Sequence, residues 1–331
     1  MMNHIANADL SIIIVNWNTA DLLSKCLKTV FANLGDLNAE IILVDNGSTD
    51  RSVRMVRDDY PSVEIIENQE NVGFAAANNQ AMRVCRGRHI LLLNSDTEIL
   101  DAVLTAGVER LDADATIGAL GCQVLNTDGS RQISHRPFPD LRYLTAQLVG
   151  LHKLKGNPSP EQICISAPFK DVETLSGCFL MIRRAAIEQV GLLDESYFFF
   201  GEETEWCWRL GQAGWRVCYA PIGQITHHGG GSSGPLKYHR GVMLTEAIIR
   251  LHRQCLGLGS ARIAWLLLLL INITRALYWA GPGRLIKPDI AAEKARYFRQ
   301  LCRAMPSVRE ATSMTGQRPT ATAQLKDQEA A

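Results

Sequence analysis

The fold of this chain is decided by the stretch Ile90-Leu91-Leu92-Leu93-Asn94-Ser95-Asp96-Thr97-Glu98. An apolar run of this length, ending at turn residues, predicts a buried strand. In open α/β sheets ligands bind just outside the carboxyl ends of strands, which is where Asn94 and Asp96 fall. The Asp96 carboxylate can hold a hard divalent cation beside the Asn94 amide. The alternative is an ordinary strand-to-turn exit, because Asn, Ser and Asp all favour turns.

Strand and helix patterns alternate upstream of this stretch. Helical spacing of apolar residues is found at Asp21–Phe31, after Asp50 and at Phe74–Cys85. The predicted strands are Leu10–Val15, Glu40–Asp45, Val63–Ile66 and His89–Leu93. Short continuous apolar strands separated by helices predict an α/β protein with a mostly parallel central sheet flanked by helices.

The second half of the chain is less regular. Residues 134–166 are predicted to be a long loop or flap with a helix near Leu141, and the small polar residues from Pro306 predict a disordered tail. Further strands are predicted at Gly118–Leu125 and Leu175–Ile182, and a helix at Glu203–Gly214. We expect a catalytic domain at 1–240, C-terminal helices at 241–305 that are membrane-associated or dimerising, and the tail at 306–331.

Composition excludes some classes of function. Lysine plus arginine and aspartate plus glutamate both number 34, so no excess of positive charge indicates a nucleic-acid partner. The nine cysteines show no metal-binding spacing, which indicates reduced thiols in a cytosolic protein. The N-terminus lacks the basic and apolar regions of a signal peptide.

The segment Ile263–Ala280 is strongly apolar and approaches the length of a membrane span. Asn272 and Arg275 would make a true span costly, and the aromatic residues near its end suit a membrane interface. Three alternatives stay open: a buried or homodimer-packing helix, an interfacial helix in peripheral contact with a membrane, and a span.

A series of short motifs runs through residues 10–235. They are Ser11–Asn18, Val44–Asp50, Glu67–Asn68, Asn71–Phe74, Asn78–Asn79, Leu93–Thr97, Ser176–Phe179, Gly191–Glu195 and Phe200–Glu205. In this order and spacing the chain resembles the family 2 glycosyltransferases, and within them the rhamnosyltransferase-like branch. The resemblance implies the GT-A nucleotide-diphospho-sugar transferase fold, here with a C-terminal helical extension, and inverting glycosyl transfer.

Glycosyl transfer needs a nucleoside pocket. Asp45 ends a predicted strand, where its carboxylate could accept a hydrogen bond from a pyrimidine imide N–H, as the matching aspartate of the family does. Each assignment has a structural alternative. Asp45 could be a turn or helix-capping residue, Trp17 could pack in the core, and Asn71, Gly73 and Asn78 could belong to an ordinary asparagine-rich turn. The residues assigned to the nucleotide are Asn16, Trp17, Asn18, Asp45, Asn71, Gly73, Asn78 and Ser95.

The leaving diphosphate develops negative charge, so a divalent cation, Mn²⁺ or Mg²⁺, is expected as cofactor. Asn94-Ser95-Asp96 occupies the position of the family's DxD motif, with Asn94 where an aspartate is often found. Asp96 is therefore the main predicted ligand and Asn94 a weak one. A second ligand is expected from His227 or His228, and His227 fits the family's histidine better. Glycines 229–231 could let a lid approach the diphosphate.

The acceptor hydroxyl needs a base. Glu202-Glu203-Thr204-Glu205 begins a predicted helix behind aromatic residues, where desolvation would raise a carboxylate pKa. Glu203 stands where the family usually has its aspartate base, and Glu202 is the reserve. Acidic residues in a first helical turn also suit the helix macrodipole, which is the structural alternative.

The sequence thus predicts a cytoplasmic enzyme at the inner face of the membrane. By resemblance, it would move rhamnose from dTDP-rhamnose to a hydroxyl of a cell-surface glycan or lipid-linked oligosaccharide. The alternative is a catalytically silent nucleotide-sugar-binding scaffold protein, which would explain the departures at Asn94 and Glu203.

Overall fold

The computed structural model describes residues 8–150, 169–229 and 237–313, with side chains described from Arg240 to Arg309 in the last range. Within these residues the chain forms two compact units. The first comprises 8–137, 169–195 and 202–229, and the second 138–150, 196–201 and 237–313. The second unit therefore includes residues 138–150, 196–201 and 237–240 of the predicted 1–240 domain.

The first unit is built on one large sheet. Its strand order is β3-β2-β1-β4-β11-β6-β12-β5, with β7 paired to β6 and β9 to β12, while β8 and β10 form a separate pair. The strands are β1 Ala8–Asn16, β2 Ala39–Asp45, β3 Glu64–Glu67, β4 Gly87–Asn94, β5 Thr97–Ile99, β6 Ile117–Leu125, β7 Arg131–Gln132, β8 His135–Arg136, β9 Lys170–Asp171, β10 Thr174–Leu175, β11 Phe179–Arg183 and β12 Arg216–His227.

Helices connect the strands and form the second unit. The Asp50 carboxylate stabilises the start of two of them, because it accepts hydrogen bonds from the N–H of Ala20 (2.9 Å), the first residue of α1, and of Ser52 (3.0 Å), the first residue of α2. The helices are α1 Ala20–Ala32, α2 Ser52–Asp59, α3 Phe74–Val84, α4 Val103–Ala113, α5 Leu141–Leu148, α6 Arg184–Val190, α7 Glu202–Gln212, α8 Lys237–Ala280, α9 Pro282–Ile286 and α10 Pro288–Ser313.

The first four strands are parallel, and their register brings their carboxyl ends together. Asn16 pairs with Asp45, and Val15 pairs with Asn94. Alternate side chains then cover both faces of the sheet with apolar residues. One core cluster contains Ile12 and Leu91, and the other contains Ile13 and Leu92. Burial on both faces explains why these strands are continuously apolar in sequence.

The second unit is helical. Helix α8 has a break at Gly257, which adopts a left-handed φ of 87°, and it packs against α5 and α10. The Asp140 carboxylate caps α5 by accepting a hydrogen bond from the N–H of Tyr143 at 2.7 Å. Apolar residues of the three helices, including Leu144, Leu268 and Leu301, form one buried cluster.

The α/β prediction is confirmed, and the predicted strands at Leu10–Val15, Glu40–Asp45, Val63–Ile66 and His89–Leu93 correspond to β1–β4. The helix near Leu141 is α5. The eight cysteines within the described residues are free. Residues 151–166 of the predicted flap and 230–231 of the glycine run lie outside the described residues.

Two element predictions were wrong in part. The single strand predicted at Leu175–Ile182 is divided into β10 and β11, because Leu175 pairs with His135 of β8 while Phe179 pairs with Leu93 of β4. Residues 306–313, predicted to be disordered, belong to α10, where Val308 is buried in the apolar cluster of the second unit. Residues 314–331 lie outside the described residues.

Candidate active site

A hydrogen-bonded group of polar side chains stands at the carboxyl ends of β1 and β2. The Asn16 amide nitrogen donates to Asp45 Oδ1 at 3.0 Å and to Ser48 Oγ at 3.1 Å. The Ser48 N–H donates to Asp45 Oδ2 at 2.8 Å, so each carboxylate oxygen has one donor. Each oxygen retains acceptor capacity for a ligand N–H. Asn16 and Asp45 are buried, so these bonds hold the carboxylate in one orientation.

The turn after β1 is held against the turn after β2. Asn18 has a left-handed φ of 53°, which asparagine tolerates. Its side-chain oxygen accepts from the N–H groups of Thr49 (2.8 Å) and Asp50 (3.3 Å), and its own N–H donates to Ser48 Oγ at 2.9 Å. Trp17 is half-buried and belongs to neither of the two core clusters of the first unit. Its ring is therefore accessible for stacking.

The loop before α3 is joined to the same edge of the sheet through Asn46. The Asn46 amide nitrogen donates to Asn71 Oδ1 (3.1 Å) and to the Gly73 carbonyl (3.3 Å). The Asn46 side-chain oxygen accepts from the Asn68 amide at 3.0 Å. Gly73 has a left-handed φ of 91°, which favours glycine at the start of α3. The predicted residues Asn71 and Gly73 are thus brought to the edge formed by Asn16 and Asp45.

Asn78 and Ser95, which were also assigned to the nucleotide, are buried like Asn16 and Asp45. Asn78 lies within α3, is 1% exposed, and donates its amide to the Phe74 carbonyl at 2.9 Å. Ser95 is 5% exposed and its hydroxyl contacts that of Thr19 at 2.9 Å. The Asn78 side chain is therefore hydrogen-bonded within its own helix. The Ser95 hydroxyl joins the end of β4 to the turn after β1 through its hydrogen bond with Thr19.

The residues predicted to hold the cation meet where β5 pairs with β12. Asp96 immediately precedes β5, and the antiparallel register aligns Thr97 with His227 at the end of β12. His227 Nε2 is 3.2 Å from Asp96 Oδ1 and 3.2 Å from the Asn94 amide nitrogen. His227 Nδ1 is 2.9 Å from Gln132 Oε1, which fixes the orientation of the ring. The neighbouring His228 instead contacts Glu98 Oε1 at 2.6 Å.

This donor set fits a hexacoordinate divalent cation. Two ligand atoms at right angles on bonds of about 2.1 Å stand about 3 Å apart, close to the separation of Asp96 Oδ1 and His227 Nε2. Within the described residues no group of three His, Cys, Asp or Glu side chains could hold a metal. A divalent cation at the Asp96–His227 pair would therefore need its remaining ligands from other groups, such as substrate phosphates and water.

The two glutamates at the start of α7 differ in environment. Glu202 is buried, and its Oε2 is a buried atom that lacks a hydrogen bond. Burial, followed by the neighbouring Glu203, raises the pKa of the Glu202 carboxyl well above its ordinary value, which favours the protonated acid. Glu203 is half-buried. A proton acceptor must be ionised, so this environment disfavours Glu202 for that role.

Glu203 borders the turn between β10 and β11. A Cβ atom added to Gly177 would lie 3.6 Å from the Phe74 ring and 4.0 Å from Glu203 Cβ. In the same turn, the Cys178 carbonyl accepts from the Asn94 N–H at 3.2 Å. The turn therefore contacts both the glutamate and the end of the strand that bears Asn94.

Glu205, the third acidic residue of α7, has a structural partner. Its Oε1 accepts from Arg209 Nε at 2.6 Å, and the other guanidinium nitrogens donate to the carbonyls of Val190 (2.5 Å) and Leu192 (2.8 Å). Trp206 is fully buried and donates to the Gly191 carbonyl at 2.8 Å. This face of α7 holds the turn at 190–192, and Trp206 is a core residue.

Sequence reasoning missed several residues that organise the site. Thr19 donates to Asn16 Oδ1 at 2.6 Å, and Ser48 and Asn46 make the bonds described above. Asn46 and Ser48 lie within the motif Val44–Asp50, and Thr19 directly follows the motif Ser11–Asn18, which is the one signal that could have found them. Gln132 had no such signal, because it comes beside His227 only through the pairing of β6 with β7 and with β12.

Solved structures similar to this chain are glycosyltransferases. A mannosyltransferase of Pyrobaculum calidifontis, in complex with GDP-Man and Mn²⁺, matches with 17% identity and a TM-score of 0.54 over 94% of this chain and 89% of that one. GalNAc-T7 with UDP, GalNAc and Mn²⁺ matches with 16% identity and a TM-score of 0.56 over 92% of this chain and 56% of that one. The central sheet and these likenesses define the GT-A fold, which confirms the predicted fold class.

Sequence comparison then gives the family. The sequence model of glycosyl transferase family 2 matches residues 11–191, and the chain belongs to that family. It is 30% identical to an N-acetylglucosaminyl-diphospho-decaprenol L-rhamnosyltransferase of Mycobacterium tuberculosis, over 59% of this chain and 68% of the relative. It is 27% identical to the hexosyltransferase Agl10 of low-salt glycan biosynthesis in Haloferax volcanii, over 61% of each chain. The protein is a glycosyltransferase, and inversion at the anomeric carbon is typical of its family.

Proposed function

We propose that this glycosyltransferase is metal-dependent and transfers rhamnose from dTDP-rhamnose to a hydroxyl of a cell-surface glycan or lipid-linked oligosaccharide. The observation that carries the proposal is the grouping of Asp45, Asp96 and His227 around the carboxyl ends of the parallel strands. Asp45 would bind the nucleoside, and the Asp96–His227 pair would hold the cation. The choice of rhamnose is supported by the mycobacterial relative, whose name gives that activity.

In the proposed complex, the base and ribose lie against Trp17 and the Asn16–Asn18 turn. Asp45 accepts a hydrogen bond from the imide N–H of a pyrimidine, held in place by its bonds to Asn16 and Ser48. Asn71 and Gly73 form the wall joined to the sheet by Asn46. Such a prearranged pocket lowers the entropic cost of aligning the anomeric carbon for attack.

A divalent cation held by Asp96 and His227, with Asn94 as a weak or outer ligand, would neutralise charge on the leaving diphosphate. Gln132 orients the His227 ring through Nδ1, which leaves Nε2 directed at Asp96. Because imidazole suits Mn²⁺ better than Mg²⁺, we expect Mn²⁺ to support transfer more effectively than Mg²⁺.

Glu203 is the proposed base. It takes the proton of the acceptor hydroxyl as that oxygen forms its bond to the anomeric carbon. The bond from the anomeric carbon to the phosphate oxygen breaks on the opposite side, and its electron pair leaves with the nucleoside diphosphate. The configuration at the anomeric carbon is therefore inverted. Glu202 stays protonated beside Glu203, as its burial favours.

The proposed acceptor also determines where the enzyme works. A lipid-linked acceptor resides in a bilayer, whereas the nucleotide sugar is dissolved in the cytoplasm, so the enzyme acts in the cytoplasm at the inner face of the membrane. We assign the chemistry to residues 1–240 and peripheral membrane contact or homodimer formation to 241–305. Support for this division comes from the helical second unit and its apolar segment.

The decisive experiment measures sugar transfer from dTDP-, UDP- and GDP-sugars in the presence of Mn²⁺ and a lipid extract, for wild type and Glu203→Gln. We expect transfer from dTDP-rhamnose that Glu203→Gln lowers at least about 100-fold, while the affinity for dTDP is unchanged. The matched control is Glu188→Gln, which makes the same chemical change at an exposed position on α6.

Other outcomes would point elsewhere. Transfer from UDP- or GDP-sugars alone would refute the rhamnose donor but keep the reaction class. Full activity of Glu203→Gln would show that Glu203 is not the catalytic base. Tight dTDP binding without turnover of any donor would support the silent nucleotide-sugar-binding scaffold.

A further inference from the structure

The second half of helix α8 presents an apolar face to solvent. Five large aliphatic side chains stand three or four residues apart and are between 37% and 66% exposed: Ile263, Leu266, Leu270, Ile273 and Leu277. This spacing puts them on one side of the helix. We name these five residues the α8 stripe. In the short helix that follows, Leu285 and Ile286 are 89% and 64% exposed.

The opposite face of the same helix is already covered. Ala264 and Leu268 are buried in the apolar cluster of the second unit, Ile271 is also buried, and the Trp265 indole N–H donates to the Met305 carbonyl of α10 at 2.9 Å. The helix is therefore apolar all round but packed on one side only. Contiguous exposed apolar surface of this kind marks a protein-interaction or membrane-interaction site.

The charges around the α8 stripe distinguish between a protein partner and a membrane. From Ala247 to Pro288 the sequence contains no aspartate or glutamate, and its basic residues are Arg250, Arg253, Arg262, Arg275, Arg284 and Lys287. Arg262, Arg284 and Lys287 are exposed. A second copy packed through the α8 stripe would bring cations against cations. Anionic lipid headgroups complement this surface, because basic residues near a membrane attract them.

The same unit argues against a spanning arrangement. By length and composition the segment Arg240–Ala280 is the one helix among the described residues that could cross a membrane. Its covered side, however, packs on α10, which exposes Arg296, Arg299 and Arg303. Charged side chains of this kind are costly in hydrocarbon, whereas a helix lying in the interface keeps them in water.

We propose that the α8 stripe and the exposed residues of α9 form a peripheral membrane-binding surface for anionic bilayers, with α8 lying in the plane of the interface. Tyr278 and Trp279 at the end of α8 suit the headgroup level. Such a surface would bring the enzyme to a lipid-linked acceptor, so its biological purpose rests on the proposed function. Its lipid binding is measurable without donor or acceptor.

The test is sedimentation of the full chain with vesicles of phosphatidylcholine, with and without phosphatidylglycerol. We expect binding that requires phosphatidylglycerol and weakens with added salt. Leu266→Glu combined with Leu270→Glu should lower binding at least about tenfold, since removing one leucine from an apolar environment is already worth about that factor. The matched control is Val84→Glu with Leu100→Glu, which alters two exposed apolar residues of the first unit and should bind normally.

A second measurement needs no variant. Hydrogen exchange of the wild-type protein should slow at 263–286 when phosphatidylglycerol vesicles are added. Unchanged exchange there, or wild-type binding by the α8-stripe variant, would overturn the proposal. A wild-type dimer that the α8-stripe variant converts to a monomer, without vesicle binding, would identify a second copy as the occupant. Retained transfer to a soluble acceptor analogue by that variant would separate this result from the proposed chemistry.

Discussion

His227 and His228 are adjacent in sequence, yet their imidazoles have different partners. His227 Nε2 is directed at Asp96 Oδ1, and His228 Nε2 is directed at Glu98 Oε1. Successive side chains of an extended segment point to opposite sides, so two neighbouring histidines cannot both face the same carboxylate. The difference between their contacts gives a test in which one histidine serves as the control for the other.

We expect Asp96→Asn and His227→Gln each to weaken Mn²⁺-dependent transfer more than about tenfold, because each removes a proposed ligand. His228→Gln should stay within about threefold of wild type. Mn²⁺ titration of the transfer rate, paired with calorimetry of Mn²⁺ binding in the presence of dTDP, measures both effects. Equal losses in the two histidine variants would contradict the assignment of the cation to His227.

Asn46 illustrates how one buried amide organises several turns. It is 3% exposed and bonds to Asn68, Asn71 and Gly73, so its removal would delete three hydrogen bonds that join the end of β2 to the 68–73 loop. We expect Asn46→Ala to lower the free energy of unfolding by about 2 kcal/mol and to weaken dTDP binding. Urea denaturation and calorimetry would measure these changes.

The control for that experiment is Asn33→Ala, at the carboxyl end of α1, where the amide donates only to the nearby Thr29 carbonyl at 2.8 Å. A smaller loss of stability and unchanged dTDP binding are expected there. Normal dTDP affinity in Asn46→Ala would separate the 68–73 loop from the nucleotide pocket.

The two sides of helix α7 have different roles, one in the proposed chemistry and one in packing. Its first turn presents Glu203 toward the β10–β11 turn, while Arg209 and Trp206 hold the turn at 190–192. The acidic residues in this first turn also suit the positive end of the helix macrodipole. A rigidly packed helix therefore carries the proposed base, which is how precise positioning of a catalytic group is usually achieved.

We expect Arg209→Ala to lower the free energy of unfolding by about 3 kcal/mol, because it leaves the buried Glu205 carboxylate uncompensated. Arg209→Leu combined with Glu205→Leu should recover part of that loss, since both charges are removed together. Thermal and urea unfolding would measure the series. If Arg209→Ala were as stable as wild type, the ion pair at 2.6 Å would have no structural role.

For the molecule as a whole, acid sensitivity is expected far from the proposed chemistry. His89 is 1% exposed near the start of β4, and burial lowers the pKa of its imidazole below the ordinary 6.5, despite its bond to Asp112 at 2.7 Å. The unfolded chain therefore binds a proton at a higher pH than the folded one. Stability is retained above about pH 6.5 and falls as the pH drops below that value.

The Asp112 carboxylate affects stability at a lower pH than His89 does. Its pKa is about 2 instead of 3.8, chiefly because Arg88 donates to it, so its stabilising contribution is lost as the pH falls from 3.8 toward about 2. We expect wild type to lose stability as the pH falls below about 6.5, and His89→Gln to lose less. Urea denaturation at several pH values measures both, and parallel profiles would contradict the role of His89.

The sequence by itself determined the α/β class, the parallel strands and the residues at their carboxyl ends. These features are local, because apolar runs predict strands and the polar residues that follow predict the edge where ligands bind. It also indicated the family through motifs whose order is preserved along the chain. The sequence did not reveal the break between β10 and β11 near Gly177 or the helical residues after Pro306, since both depend on partners distant in sequence.

Only the tertiary structure decided which polar residues meet. Asp96 and His227 are brought together by the pairing of β5 with β12, and Gln132 joins them through β7. Burial likewise separates Glu202 from Glu203, two identical side chains that the sequence could rank only by resemblance. The exposed side of α8 was also beyond the sequence, because an all-apolar helix does not reveal which of its faces a neighbour covers.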